Sequence, residues 1–131
     1  MELDLRNYLL AHSAVIAILG SRIHWVRSTQ GIVRPNAVLH RIAGNRDTTN
    51  DGPSGAVASR VQADCLALEF ETAKSAAAAI EAALSGMRGP YGSTDFQGCF
   101  LDAERTGEED SSTPDKLVRV SLDFIIFHGG L

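Results

Sequence analysis

The sequence predicts an α+β domain in which two helices pack on one face of a mostly antiparallel sheet of four to five strands. Two periodicities of apolar residues carry this prediction. In two segments they recur every three to four positions, as in amphipathic helices, and in several others every second position, as in strands that bury one face. The predicted order along the chain is α-β-β-β-α-β-β.

The first helix is predicted over residues 5–19, because apolar residues recur there at helical spacing and Gly20 follows the last of them. The segment Arg22–Arg27 contains two β-branched residues and a tryptophan, which favours a short strand. A connection with glycine and proline leads into the next strand, Asn36–Ala43, in which apolar and polar positions alternate.

A long loop is predicted over Gly44–Ala56, since glycine, asparagine, aspartate and proline crowd this segment. Its thirteen residues exceed the usual hairpin loop of about 2–5 residues. The alternation resumes in a strand over Val57–Leu68, and an alanine-rich helix follows over Glu69–Leu84. A long polar arm on a rigid sheet is typical of a protein that contacts another protein.

The second half of the chain closes the sheet. A turn rich in glycine and proline, Gly86–Gly92, precedes a strand over Phe96–Glu104, and an acidic loop over Arg105–Asp115 follows. The last strand is predicted over Lys116–His128, where every second residue is apolar. No internal repeat or composition boundary divides the chain, so we predict a single domain over residues 1–131.

Composition excludes several classes of protein. The chain of 131 residues is 44% apolar and 21% charged, which is typical of a globular domain. It lacks an apolar run of about 18 residues, so we expect no membrane span. The acidic start with Glu2 and Asp4 argues against a signal peptide, and we expect a protein made in the cytoplasm. Cys65 and Cys99 are expected to be free, buried thiols.

Charge is distributed unevenly along the sequence. Residues 1–60 carry seven arginines against four acids, whereas residues 61–131 carry five basic and twelve acidic side chains. A net acidic chain without a basic cluster is a poor nucleic-acid binder, so we expect no direct nucleic-acid recognition. Opposite charges in different parts of one domain suit docking between copies or with a charged neighbour, although an uneven solvated surface explains them equally well.

Sequence patterns that carry catalysis are missing. The chain has no phosphate-binding loop, and Gly52-Pro53-Ser54-Gly55 is not a nucleophile elbow. The four histidines are scattered, without metal-ligand spacing. A stretch from Asp47 has a passing likeness to a calcium loop but carries Thr49 and Ala58 at the third and twelfth ligand positions. We therefore expect no enzyme activity, no cofactor and no metal.

Charged residues near the long loop and in the acidic loop are the candidate interface residues. Arg41 and Arg60 flank the long loop, and each either pairs across a subunit boundary or pairs with Asp64 or Asp123 on the polar side of the sheet. The acidic loop is interpreted as solvated rather than as paired catalytic carboxylates. The candidates for contact with a neighbouring protein are Arg41, Arg46, Asp47, Asp51, Arg60, Glu108, Glu109 and Asp110.

An ordered set of segments runs through nearly the whole chain: Gly20–Ile23, Val38–Ile42, Arg46-Asp47, Asp51–Gly55, Arg60–Cys65, the alanine-rich helix, Phe96–Glu104, the acidic loop and Arg119–Phe124. This set resembles the tail-completion or tail-terminator proteins of long-tailed phages and gene transfer agents. No single motif is diagnostic, but the order of the set is fairly specific. The segment Trp25–Thr29 lacks the proline and tyrosine associated with that place in the family.

The resemblance implies an α+β subunit that assembles as a ring, expected to be a hexamer. Such a ring caps the head-proximal end of the tail tube, stops tube growth and joins the head connector. The implied partners are further copies of the chain, the tail tube protein and the head connector or stopper protein. The implied location is the neck of a phage or gene transfer agent, assembled in the host cytoplasm. The alternatives are another connector or minor tail subunit, or a small α+β enzyme.

Overall fold

A computed structural model describes residues 1–27, 33–49, 52–109 and 117–130, with the backbone alone described at residues 43–49, 52–56, 109 and 130. These ranges contain three helices and six strands. The helices are α1 Glu2–Leu10, α2 Ser13–Leu19 and α3 Phe70–Leu84. The strands are β1 Ile23–Trp25, β2 Asn36–Thr49, β3 Gly52–Ala67, β4 Gly89–Tyr91, β5 Thr94–Glu109 and β6 Leu117–Gly130.

The six strands form one sheet in the order β1-β2-β3-β6-β5-β4. Every neighbouring pair is antiparallel except β1 and β2, which run parallel. The predicted α+β class and the mostly antiparallel sheet are therefore confirmed. The predicted number and order of elements are wrong, because the described chain has three helices instead of two and six strands instead of four to five.

The first helix is interrupted at His12, whose backbone is extended (φ −93°, ψ 118°). The His12 ring Nδ1 lies 2.8 Å from the carbonyl oxygen of Tyr8, to which it donates a hydrogen bond, while the His12 backbone N–H bonds Leu9 instead. The side chain thus bonds the Tyr8 carbonyl, which would accept the His12 backbone N–H in a continuous α-helix. This competition separates α1 from α2, although no glycine or proline marks the break.

The predicted loop over residues 44–56 is wrong. β2 and β3 pair almost to their ends, with Thr49 opposite Gly52, and form a long hairpin. Each strand supplies hydrogen-bond partners for the backbone of the other, and this pairing overrides the turn preferences of the residues. Asn50 and Asp51 lie between the strands and outside the described residues. The hairpin extends past β6, whose pairing with β3 begins at Ala56.

The boundaries in the second half also differ from the prediction. Gly89–Tyr91 is a short edge strand that pairs with the start of β5, rather than part of a turn. β5 continues to Glu109 opposite Leu117, so the acidic loop begins later than Arg105. Pairing with β6 explains this extension, because the backbone of β5 hydrogen-bonds β6 along this length. As an outer strand, β5 is paired on one side and can carry polar residues on the other. The predicted last strand is confirmed, with bounds shifted to Leu117–Gly130.

Helix α1 is tied to both edges of the sheet. At one edge, the indole Nε1 of Trp25 donates to the Glu2 carbonyl at 2.8 Å. At the other, Asp4 Oδ2 accepts from Thr94 Oγ1 at 2.6 Å. Gly92, at φ +61°, leaves room for this carboxylate, since a Cβ there would collide with it. These bonds fix the helix layer across the width of the sheet.

All three helices bury their apolar residues against one side of the sheet, here named the helix face. On this face lie Val61, Ala63 and Cys65 of β3 and Leu122 and Phe124 of β6, all fully buried. The buried stripe of α3 contains four alanines, so this helix can approach the sheet closely. Phe70, the first residue of the helix, is half-exposed and lies outside this stripe.

Cys65 and Cys99 are both buried and free, as predicted. Burial raises the pKa of each thiol to about 12, so both stay protonated near neutral pH and are poor nucleophiles. None of the described helices is long and apolar enough to cross a membrane.

Candidate assembly surfaces

The other side of the sheet, here named the open face, carries a network of polar side chains. Strand alternation places Gln62 and Asp64 of β3 and Ser121 and Asp123 of β6 on this face, opposite one another in the register. Ser121 Oγ donates to Asp64 Oδ1 at 2.7 Å, and Gln62 Nε2 donates to the same oxygen at 2.8 Å. Asp64, Ser121 and Asp123 are nearly buried because neighbouring side chains cover them.

Both carboxylates of this network have partners. Two guanidinium nitrogens of Arg105 in β5 donate to the Asp123 carboxylate, at 2.6 and 3.3 Å. This hydrogen bonding raises the pKa of Arg105. The His40 ring Nε2 lies 3.5 Å from Asp64 Oδ2. Such mutual pairing satisfies buried polar groups and fixes the strands laterally. It does not produce a free acid, base or nucleophile.

An apolar patch adjoins the polar network at the end of the open face nearest the β2–β3 hairpin. It consists of Phe100 of β5 and of Ile125 and Phe127 of β6. Phe100 is 59% exposed and meets Phe127 edge-to-face, with ring centroids 6.0 Å apart. Gly98 lies under the Phe100 ring, where a Cβ would come within 3.2 Å of it. Large exposed side chains so close together mark a contact surface.

Over most of their described length, the two edges of the sheet lack a second strand partner. β1 pairs with β2 only at Ala37–Leu39, and β4 pairs with β5 only at Thr94–Phe96. Within the described ranges, β2 from His40 to Thr49 and β5 from Gly98 to Glu109 therefore have a strand partner on one side alone. Open strand edges present unpaired backbone donors and acceptors, which another strand can satisfy.

Two of the three predicted interface arginines, Arg41 and Arg60, have an ion-pair partner within the chain. Arg41 Nη1 lies 3.2 Å from Glu2 Oε1, and Arg60 Nη1 lies 2.8 Å from Asp102 Oδ2. Neither arginine contacts Asp64 or Asp123, so the predicted pairing with these residues is wrong. Both ion pairs are well exposed and contribute little to stability. Their role in an interface stays a prediction.

The other predicted interface residues that the structure describes lie at opposite edges of the sheet. Arg46 and Asp47 belong to the hairpin end of β2, whereas Glu108 and Glu109 end β5. Asp51 and Asp110 lie outside the described residues. The structure therefore places one group of candidates at the β2 edge and another at the β5 edge, whereas Arg60 lies in the inner strand β3. The aromatic patch on the open face was not predicted, because a phenylalanine in a strand usually indicates a core position.

A cavity of about 320 Å³ is lined by Arg34, Pro35, Ala67, Leu68, Glu69 and Thr72. A smaller one of about 170 Å³ lies between α2 and α3, next to His12. Neither of these two cavities is lined by His24 or His40. Among the described residues, no group of three histidine, cysteine or acidic side chains could hold a metal ion.

An open sheet face and two open strand edges are typical of one class of protein, a subunit that docks with other proteins. The carboxylates of the open face fit this class, because they are engaged in structural pairing. The comparisons with known proteins agree. The sequence matches the family "Tail completion protein gp17" over residues 4–129, and the chain belongs to this family. It is a structural protein of a phage-like virion, located in its tail or neck region, and not an enzyme.

A solved structure has the same fold. It is a chain of a structure described as "Virion of native gene transfer agent (GTA) particle", with a TM-score of 0.78 and 19% sequence identity. The match covers 99% of this chain and 95% of the other. None of the curated proteins compared with the sequence matches it.

Proposed function

We propose that this protein forms a ring, expected to be a hexamer, that caps the head-proximal end of the tail tube, stops tube growth and joins the tail to the head connector. The observation that carries the proposal is the family match over residues 4–129, which includes nearly every described element. The partners in this proposal are further copies of the chain, the tail tube protein and the head connector or stopper protein.

The surfaces of the subunit support a ring. A closed ring with one rotation axis needs two different, complementary patches on every subunit. The two open edges of the sheet, β2 on one side and β5 on the other, supply two such patches. The open face, with its Phe100 and Phe127 rings, supplies a third surface that is free for another protein of the tail or neck.

The end of the β2–β3 hairpin is proposed as the arm of the subunit. Within the described residues, Thr48 pairs with Pro53 and Thr49 with Gly52, beyond the last β3–β6 pair at Ala56 and Gly129, so the hairpin extends past the body of the sheet. An extension of this kind can contact an adjacent subunit or the tail tube without disturbing the core. The candidate residues Arg46, Asp47 and Asp51 belong to this segment.

Deletion of residues 46–54 tests the role of the arm in particles. The shortened hairpin keeps the β3–β6 pairing from Ala56 onward, so we expect a folded protein. Hosts that supply only this variant should yield tails of abnormal length that do not join heads, as judged by electron microscopy. A variant with the same segment replaced by glycine and serine separates the length of the arm from its side chains. Normal tails joined to heads would contradict the proposed role.

Labelling the subunit decides between a tail terminator and another connector or minor tail subunit. The family description favours completion of the tail, which requires a position where the tail meets the head. An electron-dense label on the chain should therefore appear as one ring at the head-proximal end of the tail tube. A label at another level of the particle would favour the alternative.

A further inference from the structure

We propose that the open edge of β2 in one copy adds to the open edge of β5 in the next copy, as an antiparallel strand pair. This inference rests on the proposed ring and names the surface that closes it. It assigns the candidate residues Arg41 and Arg46 to one side of the contact, and Glu108 and Glu109 to the other.

The first argument is the length of the two outer strands that has a strand neighbour on one side alone. The described part of β2 beyond Leu39 and of β5 beyond Phe96 each has a neighbouring strand on one side alone. Soluble proteins usually cover or shorten such edges, because unpaired strands recruit other strands. Among the described residues, the three-residue strands β1 and β4 alone do so, and they pair with three residues of each edge.

The second argument is strand direction. β2 runs antiparallel to β3, β3 to β6 and β6 to β5, so β2 and β5 of one copy point in opposite directions. Copies related by rotation about a ring axis stand side by side in the same orientation. The β5 edge of one copy then meets the β2 edge of the next in the antiparallel sense, which is the pairing that most of the sheet already uses.

The third argument is charge. The β2 edge, over residues 23–49, carries four arginines and one aspartate, whereas the β5 edge, over residues 89–109, carries five acids and one arginine. Unlike edges therefore attract each other and like edges repel. This arrangement favours a head-to-tail contact over a two-fold contact between identical edges. Head-to-tail contacts generate rings when the rotation closes.

Bulges on the outer strands add curvature to this contact. β2 has one extra residue between Arg41 and Ala43, and β5 has one at each of Gln97 and Asp102. A further shift between Arg46 and Thr48 skips one residue of β2 and three of β3, so its extra residues lie in β3. The central β3–β6 pair has no shift through its whole length. Bulges bend a strand and divide its edge into short regular runs, such as the run that follows Asp102. Short curved runs suit a closed ring and disfavour an unlimited flat stack.

Engineered cysteines test the pairing directly. Thr106 is exposed on β5, and Gly44, Arg46 and Thr48 are alternate positions on the open part of β2. Three double variants combine Thr106→Cys with Gly44→Cys, Arg46→Cys or Thr48→Cys. The assembled protein, purified alone or in tails, is treated with a short bismaleimide reagent whose reach covers neighbouring registers. The native Cys65 and Cys99 are buried and do not compete.

The expected result is a ladder of covalent multimers on a denaturing gel for at least one double variant. Each single variant should give no product larger than a dimer, because a ladder needs both edges on every chain. The pair Thr48→Cys with Ser75→Cys is the control, since Ser75 lies on the exposed side of α3. Rings in which all three double variants stay uncoupled would overturn the edge pairing and leave the proposed function intact.

Charge reversal provides a second measurement. Arg41→Glu places the wrong charge on the β2 edge, so sedimentation should show at least a tenfold loss of ring affinity. Glu71→Lys is the control, because Glu71 is an exposed charge on α3 and belongs to neither edge strand. Equal effects of the two reversals would contradict the edge contact. A chain that neither forms rings nor completes tails would contradict the proposed function itself.

Discussion

The two faces of the sheet are built from the same strands by different physical means. On the helix face, Phe124 of β6 is 1% exposed and packs in a core closed by three helices. On the open face, Phe127 of the same strand is 38% exposed, and Asp64 and Asp123 are held by hydrogen bonds instead of apolar contacts. The difference indicates that the helix face supplies most of the stability, which leaves the open face available for assembly.

The largest expected effect comes from the two phenylalanines of β6. Phe124→Ala should lower the free energy of unfolding by about 3–5 kcal/mol, because it leaves a cavity in the core. Phe127→Ala should lower it by less than about 1 kcal/mol, because the ring is already in contact with water. Urea denaturation of the purified variants measures both. Similar losses would show that the open face is as important for stability as the core.

The polar network should give an intermediate effect. Asp64→Ala removes the acceptor for Ser121 and Gln62 and should cost about 1–3 kcal/mol, since it leaves nearly buried donors unsatisfied. Asp102→Ala is the control, because its ion pair with Arg60 is exposed and should contribute about 0–1 kcal/mol. The same denaturation experiment compares them. A neutral Asp64→Ala would mean that the network does not stabilise the isolated subunit.

The smallest effect concerns His128, on the helix face. Its ring Nε2 lies 2.8 Å from Ser59 Oγ, and its pKa is lowered from 6.5 by burial, with Arg41 contributing repulsion. The folded chain therefore binds this proton less readily than the unfolded chain. Stability should fall as the pH is lowered through 6.5 towards the depressed pKa of the folded state, and this contribution should then level off.

A His128→Gln variant isolates this contribution. Its unfolding free energy should change less than that of the wild type across the same pH window, because glutamine does not titrate. Glu2 and Asp4 do not interfere, because their pKa values are lowered from 4.5 and 3.8 and their contributions are lost only in stronger acid. Parallel pH profiles for the two proteins would assign the sensitivity to another group.

The elements that the sequence predicted best are those with long apolar periodicity. α3 and β6 were found nearly at their observed bounds, because burial on the helix face requires a regular pattern in each. The break between α1 and α2 at His12 could not be predicted from the sequence, since it depends on a side-chain hydrogen bond to Tyr8. The hairpin end of β2 and β3 was mistaken for a loop, because its turn-forming residues are held by pairing between distant positions.

The candidate interface residues show the same limit of prediction from local sequence. Their charges are visible in the sequence, but their placement depends on strand order. β6 inserts between β3 and β5, and this insertion moves the acidic β5 to the edge opposite the basic β2. Nothing in the local sequence of either strand specifies that arrangement. The partners Glu2 of Arg41 and Asp102 of Arg60 were missed for the same reason.

The pairing of β3 with β6 also bears on how the chain folds. Each of the two long hairpins, β2–β3 and β5–β6, joins strands that are neighbours in the sequence and can form by itself. The seam between the hairpins is non-local, since Ala67 pairs with Val118 across an intervening helix and two strands. Closing such a long loop is entropically costly before its contacts form. We therefore expect docking of the two hairpins, templated by α3, to be the slow step of folding.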